Sequence, residues 1–422
     1  MIASLPAATF TTLFVAALVT TLILRLWLAS RQAAHVARHA DAVPAQFAGR
    51  IELDAHRKAA AYTVAKTRFG MTAALADSAL LAALTLGGGI ATLDTLWAGL
   101  LGGPGHAYGL ALIFSVFAIQ ALVDLPFSLY RQFVIETRFG FNRMTLGLFF
   151  SDVLKQALLA AVIGTPLLLA VLWLMGNLGP YWWLTVWVFW CVFSLALHFI
   201  YPTWIAPLFN KFSPLAEGEM KARIEALLGR CGFRSSGLFV MDGSRRSSHG
   251  NAYFTGFGDS KRIVFFDTLL ERLAPAEVEA VLAHELGHFR RRHVVKHIAL
   301  SFLLSLFFLW LLGMLIESPG FYAGLGAPGG NTALALVLFF LVIPVFTFPF
   351  HPLTSSLSRS HEFEADAYAA DHASADDLVR ALVKLYQDNA ATLTPDPLHS
   401  LFYDSHPPAA QRIEHLNRLR PV

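Results

Sequence analysis

The amino-acid sequence predicts an all-α integral membrane protein with seven transmembrane helices and a mostly helical cytoplasmic domain that carries a small β-hairpin. Three observations support this fold class: the composition, the number of long apolar segments, and the alternation of charge between them. Of the 422 residues, 55% are hydrophobic and only 14% are charged, with a mean hydropathy of +0.54. Soluble domains carry about 25% charged residues. The composition therefore excludes a disordered protein, a coiled coil, a nucleic-acid-binding protein and an ordinary cytosolic enzyme.

Seven segments are apolar over roughly the 20 residues that a transmembrane helix requires. They comprise residues 10–28, 79–101, 108–130, 153–175, 182–205, 298–316 and 333–350. The second segment is the weakest, because it contains three consecutive glycines at residues 87–89 and the charged Asp94. No Lys or Arg precedes the first segment, and its apolar run is too long for a signal peptide, so we interpret it as a membrane span.

The combined number of lysine and arginine residues alternates between high and zero in the successive segments that connect these spans. Residues 31–70, 131–152, 211–296 and 354–422 contain 7, 3, 14 and 6 of them. The other connections, residues 1–9, 102–107, 176–181 and 317–332, contain none. Because cytoplasmic loops collect Lys and Arg, we expect the N-terminus outside and the C-terminus in the cytoplasm. The loss of one span would put basic and uncharged connections on the same face, so the alternation also supports seven spans.

Arginine outnumbers lysine 24 to 8, and alanine is abundant. This usage is typical of a GC-rich bacterium, so we expect a bacterial inner-membrane protein, or an endoplasmic reticulum protein if the source is eukaryotic.

Two of the basic segments, residues 211–296 and 354–422, are large enough to fold. Residues 297–353 contain spans six and seven and separate them in sequence, so we expect the two segments to pack together as one domain. Residues 1–210 supply spans one to five with their loops. Cys191 lies in an apolar run and Cys231 in a basic segment, so we expect neither a disulfide nor a cysteine metal site.

Polar residues lie within the predicted spans, and they include Arg25, Asp124, Lys155 and His198. Such residues are costly in a bilayer. They either pair between helices and reach towards the interface, or they line a water-filled interior.

The sequence HELGH at residues 284–288 is the most informative motif. It lies in a segment with a helix start signal, Pro275 followed by Glu277. A helix places residues i and i+4 on one face, so His284 and His288 can bind one tetrahedral Zn²⁺. Glu285 lies beside the metal, where it can take the proton of a water whose pKa zinc lowers to about 7. The alternative is a chance occurrence of this pattern on a solvated helix.

A catalytic zinc requires three protein ligands and one open position. Val294 occupies the position of the third histidine in the metzincin pattern, which excludes that class. A second candidate segment, SRSHEFEAD, follows span seven at residues 358–366. Its Glu362 and Asp366 are four residues apart on one helical face. One of them can bind zinc while the other accepts a hydrogen bond from an imidazole N–H.

Other residues beside these motifs have weaker claims to the metal. His361 competes as a third ligand, and Glu364 is interpreted as a solvated acid. His293 and His297 do not suit the helical face of the HELGH motif, so we interpret them as loop or interface histidines.

The chain resembles the type I CAAX prenyl endopeptidases, which are integral-membrane zinc metalloproteases. The resemblance covers most of the length and includes the zinc motifs. Further similar blocks are residues 133–145 (FVIETRFGFNRMT), 201–215 (YPTWIAPLFNKFSPL), 246–270 (RSSHGNAYFTGFGDSKRIVFFDTLL) and 405–413 (SHPPAAQRI). Shorter heat-shock-type membrane proteases share the zinc pattern but have fewer spans, so they fit less well.

The resemblance assigns roles to individual residues. It implies that Glu362 is the third zinc ligand and that Asp366 orients a ligand. It also implies that His406 assists at the transition state, and that the spans surround a large water-filled chamber. Arg412, six residues after His406, is a further candidate for pairing with a carboxylate of the site.

The same resemblance implies that an edge strand at Asn251, Ala252 and Tyr253 binds the substrate backbone. The residues favour this independently, because residues 251–257 and 262–267 flank the turn-forming sequence GDSK and predict a hairpin. An edge strand can pair with an extended peptide through main-chain hydrogen bonds. The alternative is a hairpin with a purely structural role.

The sequence therefore predicts a membrane zinc metalloendopeptidase, with one Zn²⁺ per chain, that cleaves near the C-terminus of prenylated CAAX-type substrates. Its expected partners are a peptide or protein substrate and the lipid bilayer, and no nucleic acid. Two alternatives remain: a quality-control membrane protease that needs no prenyl group, and a non-enzymatic transporter or receptor with a structural zinc. The sequence does not determine the oligomeric state.

Overall fold

The computed structural model describes residues 5–255 and 262–419, and most of them are helical. The first part of the chain contains α1 (Ala7–Arg38), α2 (Leu53–Leu84), α3 (Gly89–Leu101), α4 (His106–Tyr130), α5 (Thr137–Phe139), α6 (Leu146–Asn177), α7 (Trp182–Ile200) and α8 (Ala206–Phe209). The middle contains β1 (Phe212–Pro214), α9 (Glu219–Arg230), β2 (Gly237–Met241), β3 (Ala252–Thr255), β4 (Arg262–Phe266), α10 (Asp267–Leu270) and α11 (Pro275–Arg290). The remainder contains α12 (His293–Leu315), α13 (Pro319–Gly324), α14 (Thr332–Thr347), α15 (His351–His372), α16 (Ala375–Asp388), α17 (Pro397–Tyr403) and α18 (Ala409–Arg418).

Several helices are long and apolar enough to cross a membrane. Among the described residues there are six, namely Ala7–Arg38, His106–Phe139, Leu146–Asn177, Gly179–Phe209, His293–Leu315 and Thr332–His372. A seventh is obtained if α2 and α3, which are bent by 50° relative to each other, count as one broken span. The chain is thus a multi-pass membrane protein. Most of the helices that could cross the membrane are longer than the spans predicted from the sequence.

The second predicted span is not one continuous helix, which corrects the prediction for residues 79–101. Helix α2 ends at Leu84, and α3 begins only at Gly89. The residue before α3, Gly88, has a φ of 77°, in the left-handed region that favours glycine. The three consecutive glycines therefore break the apolar segment instead of continuing it.

The helices that carry the two zinc motifs lie next to membrane spans in the chain. Helix α11, with the HELGH sequence, is followed after two residues by the apolar helix α12. The apolar helix α14 leads through the short turn Phe348–Phe350 directly into α15, which carries Glu362. Each predicted zinc motif is therefore next in the chain to a helix that could cross a membrane.

The strands form one four-stranded sheet in the order β1-β2-β4-β3. Strands β3 and β4 are antiparallel, as predicted, but β4 also pairs in parallel with β2. The domain thus contains more sheet than the predicted hairpin. The predicted turn at residues 258–261, with residues 256–257 of the first predicted strand, lies outside the described residues. Strand β3 is at the edge of the sheet.

Two large hydrophobic cores organise the chain. One lies among the apolar helices and includes Leu112, Leu312 and Leu338. The other combines residues from both halves of the predicted soluble domain, such as Ile224 and Leu378, with Phe47 from the loop before α2. The described parts of residues 211–296 and 354–422 thus share one core, to which the loop before α2 contributes.

The polar residues of the predicted spans have two kinds of surroundings. Lys155 donates a hydrogen bond to the carbonyl oxygen of Leu208 at 2.9 Å. Arg25 and Asp124 instead line a cavity of about 500 Å³ together with Asp77. A second cavity of about 660 Å³ has a mostly apolar lining. The span region therefore contains internal space, part of it polar.

Candidate active site

Helices α11 and α15 pack closely because of a glycine in the HELGH sequence. A Cβ atom at Gly287 would lie 2.8 Å from the Cα of Ala365 and 3.0 Å from the Cβ of Tyr368. Such distances are far shorter than ordinary carbon contacts of about 3.5–4.0 Å. Only glycine allows this approach, which brings the two predicted zinc motifs together.

Three side chains meet at the contact between these helices. His284 Nε2 and His288 Nε2 are 3.2 Å apart, and Glu362 places its oxygens 3.4 Å from the former and 3.2 Å from the latter. A tetrahedral zinc with bonds of about 2.0–2.2 Å requires ligand atoms about 3.3–3.6 Å apart. The spacing of these three residues is close to this requirement, so together they could hold one metal ion.

The surroundings of this group also fit a cation. Glu362 is buried, and its Oε2 makes no hydrogen bond among the described residues, although His284 Nε2 lies 3.4 Å and Arg412 Nη1 3.5 Å from it. Burial and the charge of Arg412 lower the pKa of His284, but the carboxylates of Asp366 and Glu362 outweigh them and raise it to about 9. A buried carboxylate beside two imidazoles, in surroundings that favour positive charge, suits a bound cation, because buried charges are either paired or coordinate metals.

The buried ion pair between Asp366 and Arg412 contacts the Nδ1 side of the His284 ring. Asp366 is fully buried and lies 2.8 Å from His284 Nδ1. Arg412, which is 5% exposed, donates to both oxygens of Asp366, with 2.9 Å from its Nε to Oδ2. The Arg412 Nη1 also lies 3.5 Å from Glu362. The Nη2 of Arg412 lies 3.3 Å from His284 Nδ1, so α18 contacts both motif helices.

Of two further predicted residues, His406 lies at the exposed side of this group, and Glu285 adjoins His284 in the chain. His406 precedes α18, and its Nε2 lies 3.5 Å from Glu362 Oε1. Glu285 follows His284 on α11 and is half-buried. Within residues 5–255 and 262–419, its carboxylate has no hydrogen-bond or ion-pair partner, so it is available to bind a proton.

The predicted substrate strand lies beside the motif helix. Strand β3 packs against α11, and aromatic contacts link Phe254 through Phe233 to Phe289, the residue after His288. Asn251 is exposed, and its side-chain oxygen accepts a hydrogen bond from the backbone N–H of Ala252. Tyr253 is half-buried, with its ring against Phe266.

His293, interpreted as a loop or interface histidine, is not among the three residues that could hold a metal, but it is the first residue of α12 and contacts one of them. His293 is 2% exposed, and its Nδ1 lies 3.0 Å from His288 Nδ1. Glu364, interpreted as a solvated acid, lies 3.2 Å from the other nitrogen of His293. No helical period could reveal this contact, because Arg292 interrupts the helix with a φ of 56°. His361 stacks on His293 and does not join the three-residue group.

The comparisons with known proteins agree with this geometry. Residues 32–211 match the family model described as the CAAX prenyl protease N-terminal domain with five membrane helices, and residues 214–420 match peptidase family M48. The chain is 34% identical to the Homo sapiens CAAX prenyl protease 1 homolog, covering 90% of this chain and 89% of that one. The Arabidopsis thaliana homolog is 38% identical over 72% of both chains.

A solved structure gives the same result for the whole fold. The crystal structure of S. mikatae Ste24p is similar with a TM-score of 0.91 and 32% identity, covering 98% of this chain and all of that one. The resemblance inferred from the sequence motifs is confirmed. The chain therefore belongs to the CAAX prenyl protease family within peptidase family M48 and is a membrane metalloendopeptidase.

Proposed function

We propose that the protein is a zinc endopeptidase that cleaves peptide bonds near the C-terminus of prenylated CAAX-type substrates at the membrane. The observation that carries this proposal is the convergence of His284, His288 and Glu362 at distances that suit one zinc ion. The substrate class is supported by the names of the relatives, which are CAAX prenyl proteases.

The proposed metal is one Zn²⁺ per chain, held by His284 Nε2, His288 Nε2 and a carboxylate oxygen of Glu362. Two histidines and one glutamate form a known ligand set of catalytic zinc, which keeps its fourth position open. When bound, zinc would polarise the scissile carbonyl and acidify the attacking water. Asp366 would hold His284 in the tautomer that presents Nε2, because it accepts a hydrogen bond from Nδ1–H.

Glu285 and His406 are the proposed catalytic residues. The free carboxylate of Glu285 would accept the proton of the attacking water and then deliver it to the leaving amine nitrogen. His406 lies at the exposed side of Glu362. There its Nε2–H can donate to the oxygen that becomes negative in the transition state.

The substrate backbone would pair with the edge strand β3, at Asn251, Ala252 and Tyr253. The edge position in the sheet and the packing of β3 against α11 support this role. Main-chain pairing holds a peptide extended without demanding a particular side chain. Such a strand can therefore align many sequences with the metal.

We further propose that α2 and α3 together cross the membrane once, which gives seven spans with the N-terminus outside and the active site in the cytoplasm. The alternation of Lys and Arg supports this topology. The cavities of about 660 and 500 Å³ among the spans support an internal chamber. A bacterial inner membrane and an endoplasmic reticulum membrane both suit this arrangement.

A quality-control protease without a prenyl requirement is the second candidate. The feature that favours it is β3, whose main-chain pairing would not select for a lipid. The non-enzymatic transporter or receptor is disfavoured, because the chain belongs to a peptidase family.

The experiment that separates the two candidates uses purified protein in liposomes with a farnesylated C-terminal Cys-a-a-X peptide and its unprenylated twin. Preferred cleavage of the farnesylated peptide, absent in Glu285→Gln, is the expected result. Equal cleavage of both peptides would support the quality-control protease. Cleavage of neither, with zinc bound, would contradict both.

A further inference from the structure

The two histidines of the metal site need the same tautomer. Each presents Nε2 to the shared centre, and these nitrogens are 3.2 Å apart. A lone pair on Nε2 requires the ring proton on Nδ1, and the partner of Nδ1 selects that tautomer. Asp366 serves as this partner for His284. The corresponding partner of His288 lies outside both sequence motifs.

That partner is His293, the first residue of α12. Its Nδ1 lies 3.0 Å from His288 Nδ1, and its Nε2 lies 3.2 Å from Glu364 Oε2. A carboxylate only accepts hydrogen bonds, so a neutral His293 carries its proton on Nε2 and donates it to Glu364. Its Nδ1 is then free to accept the N–H of His288. One arrangement of protons thus satisfies both contacts and leaves His288 Nε2 unprotonated.

The backbone conformation at Arg292 places the ring of His293 against His288. In a continuous helix, a residue five positions after His288 would point about 140° away from it. Arg292 instead adopts a φ of 56°, which a non-glycine residue rarely does, and this turn separates α11 from α12. Strain of this kind persists only where the surrounding structure enforces it.

Burial and stacking also restrict the orientation of the His293 ring. It is 2% exposed and stacks on His361, with ring centroids 4.0 Å apart and an angle of 11° between the planes. His361 contacts His297 in turn, at 3.3 Å between ring nitrogens. Burial and stacking therefore hold the acceptor nitrogen of His293 in position against His288.

We infer that His293, supported by Glu364, is a positioning residue that fixes the metal-binding tautomer of His288, as Asp366 does for His284. This inference rests on the proposed metal site. It adds a hydrogen-bonded series from Glu364 through His293 to His288. Its central residue, His293, lies outside both the HELGH sequence and the segment around Glu362. Loss of such an outer partner typically weakens metal binding by about 10- to 100-fold.

The test measures the zinc affinity of the full-length protein by competition with a chelating dye. His293→Ala should bind zinc about 10- to 100-fold more weakly than wild type. His293→Asn should retain most of the affinity, because its amide oxygen can replace the acceptor Nδ1. His297→Ala is the matched control, since it removes a neighbouring histidine whose ring nitrogen contacts His361 and not the metal group, and it should bind like wild type. Glu364→Ala should have an intermediate effect.

A second readout separates positioning from a general structural role. With Co²⁺ in place of zinc, the visible absorption should change in His293→Ala and return towards wild type in His293→Asn. An affinity of His293→Ala within twofold of wild type would overturn the inference. So would equal losses in His293→Ala, His293→Asn and His297→Ala. If the wild-type protein bound no zinc, the proposed metal site itself would be wrong, so the two failures are distinguishable.

Discussion

Substitution of Gly287 by alanine should weaken the metal site without altering any ligand. The new Cβ would lie 2.8 Å from the Cα of Ala365. An ordinary contact requires about 3.5 Å, so α11 and α15 must separate by about 0.7 Å. The two ligands of α11 would move with their helix, away from Glu362 on α15. The distance of 3.2 Å between His288 and Glu362 would approach 4 Å, which exceeds the roughly 3.3–3.6 Å that tetrahedral zinc requires.

The expected size of the effect follows from the cost of overpacking. Extra atoms in a packed interior typically cost about 1–3 kcal/mol. If this cost falls on the zinc-bound arrangement, affinity should drop by about 5- to 150-fold. The assay is zinc competition on purified Gly287→Ala, combined with denaturant unfolding in detergent.

A glycine in α9, outside the helices that could cross a membrane, provides the control. Gly229 lies in α9, and a Cβ there would meet nothing within 4 Å. Because alanine is the better helix former by about 0.5–1 kcal/mol, Gly229→Ala should be neutral or slightly stabilising and should bind zinc normally. Wild-type affinity and an unchanged unfolding midpoint in Gly287→Ala would refute the view that helix contact sets the ligand spacing.

Three further predictions concern the C-terminal segment. Arg412→Leu leaves the buried Asp366 carboxylate without its counter-charge, and should lower the free energy of unfolding by about 3–5 kcal/mol in denaturant titrations. The double variant with Asp366→Leu should cost less than the sum of the single changes, and strict additivity would contradict this. His406→Ala should reduce kcat by about 10²–10³-fold in peptide cleavage with zinc content unchanged, whereas loss of zinc would assign it a binding role. Burial raises the pKa of Asp396, but backbone N–H groups and Arg31 outweigh it and hold that pKa below its usual 3.8. The stability difference between wild type and Asp396→Asn should therefore be full above about pH 4 and shrink as the pH falls below it; a difference that grows in acid would contradict the sign.

The sequence allowed prediction of those features that depend on local patterns. Long apolar segments must form helices in a bilayer, because every backbone polar group needs a partner there. The HELGH sequence and the pair Glu362 and Asp366 follow helical spacing, so their shared faces were predictable. The family resemblance supplied the connection between them.

Features that depend on contacts between distant segments were not predictable. Strands β1 and β2 have three and five residues, and β2 pairs in parallel with β4 across an intervening loop and strand. Such short runs carry little periodicity. The contact between His293 and His288 depends on the positive φ of Arg292, for which no helical period gives a signal. The three glycines at residues 87–89 were the sequence signal for the break between α2 and α3. They weakened the prediction of a span but did not predict a bend.

The close sequence proximity of the zinc motifs to two spans has a consequence for the substrate. Helix α15 follows α14 through a short turn, and α12 begins two residues after α11. The proposed metal site is therefore close in sequence to two helices that are long and apolar enough to cross a membrane. A peptide anchored in the bilayer by its lipid would be presented close to the site, which fits the proposed substrate class.

The central claim is that His284, His288 and Glu362 hold a catalytic zinc served by Glu285. The most direct measurement determines zinc per chain and peptide cleavage in the same preparations of wild type, Glu285→Gln and Glu362→Gln. We expect one zinc per chain in wild type and in Glu285→Gln, with cleavage lost in the latter. Glu362→Gln should lose both zinc and cleavage. Wild-type cleavage by Glu285→Gln, or full zinc content and activity in Glu362→Gln, would contradict the account.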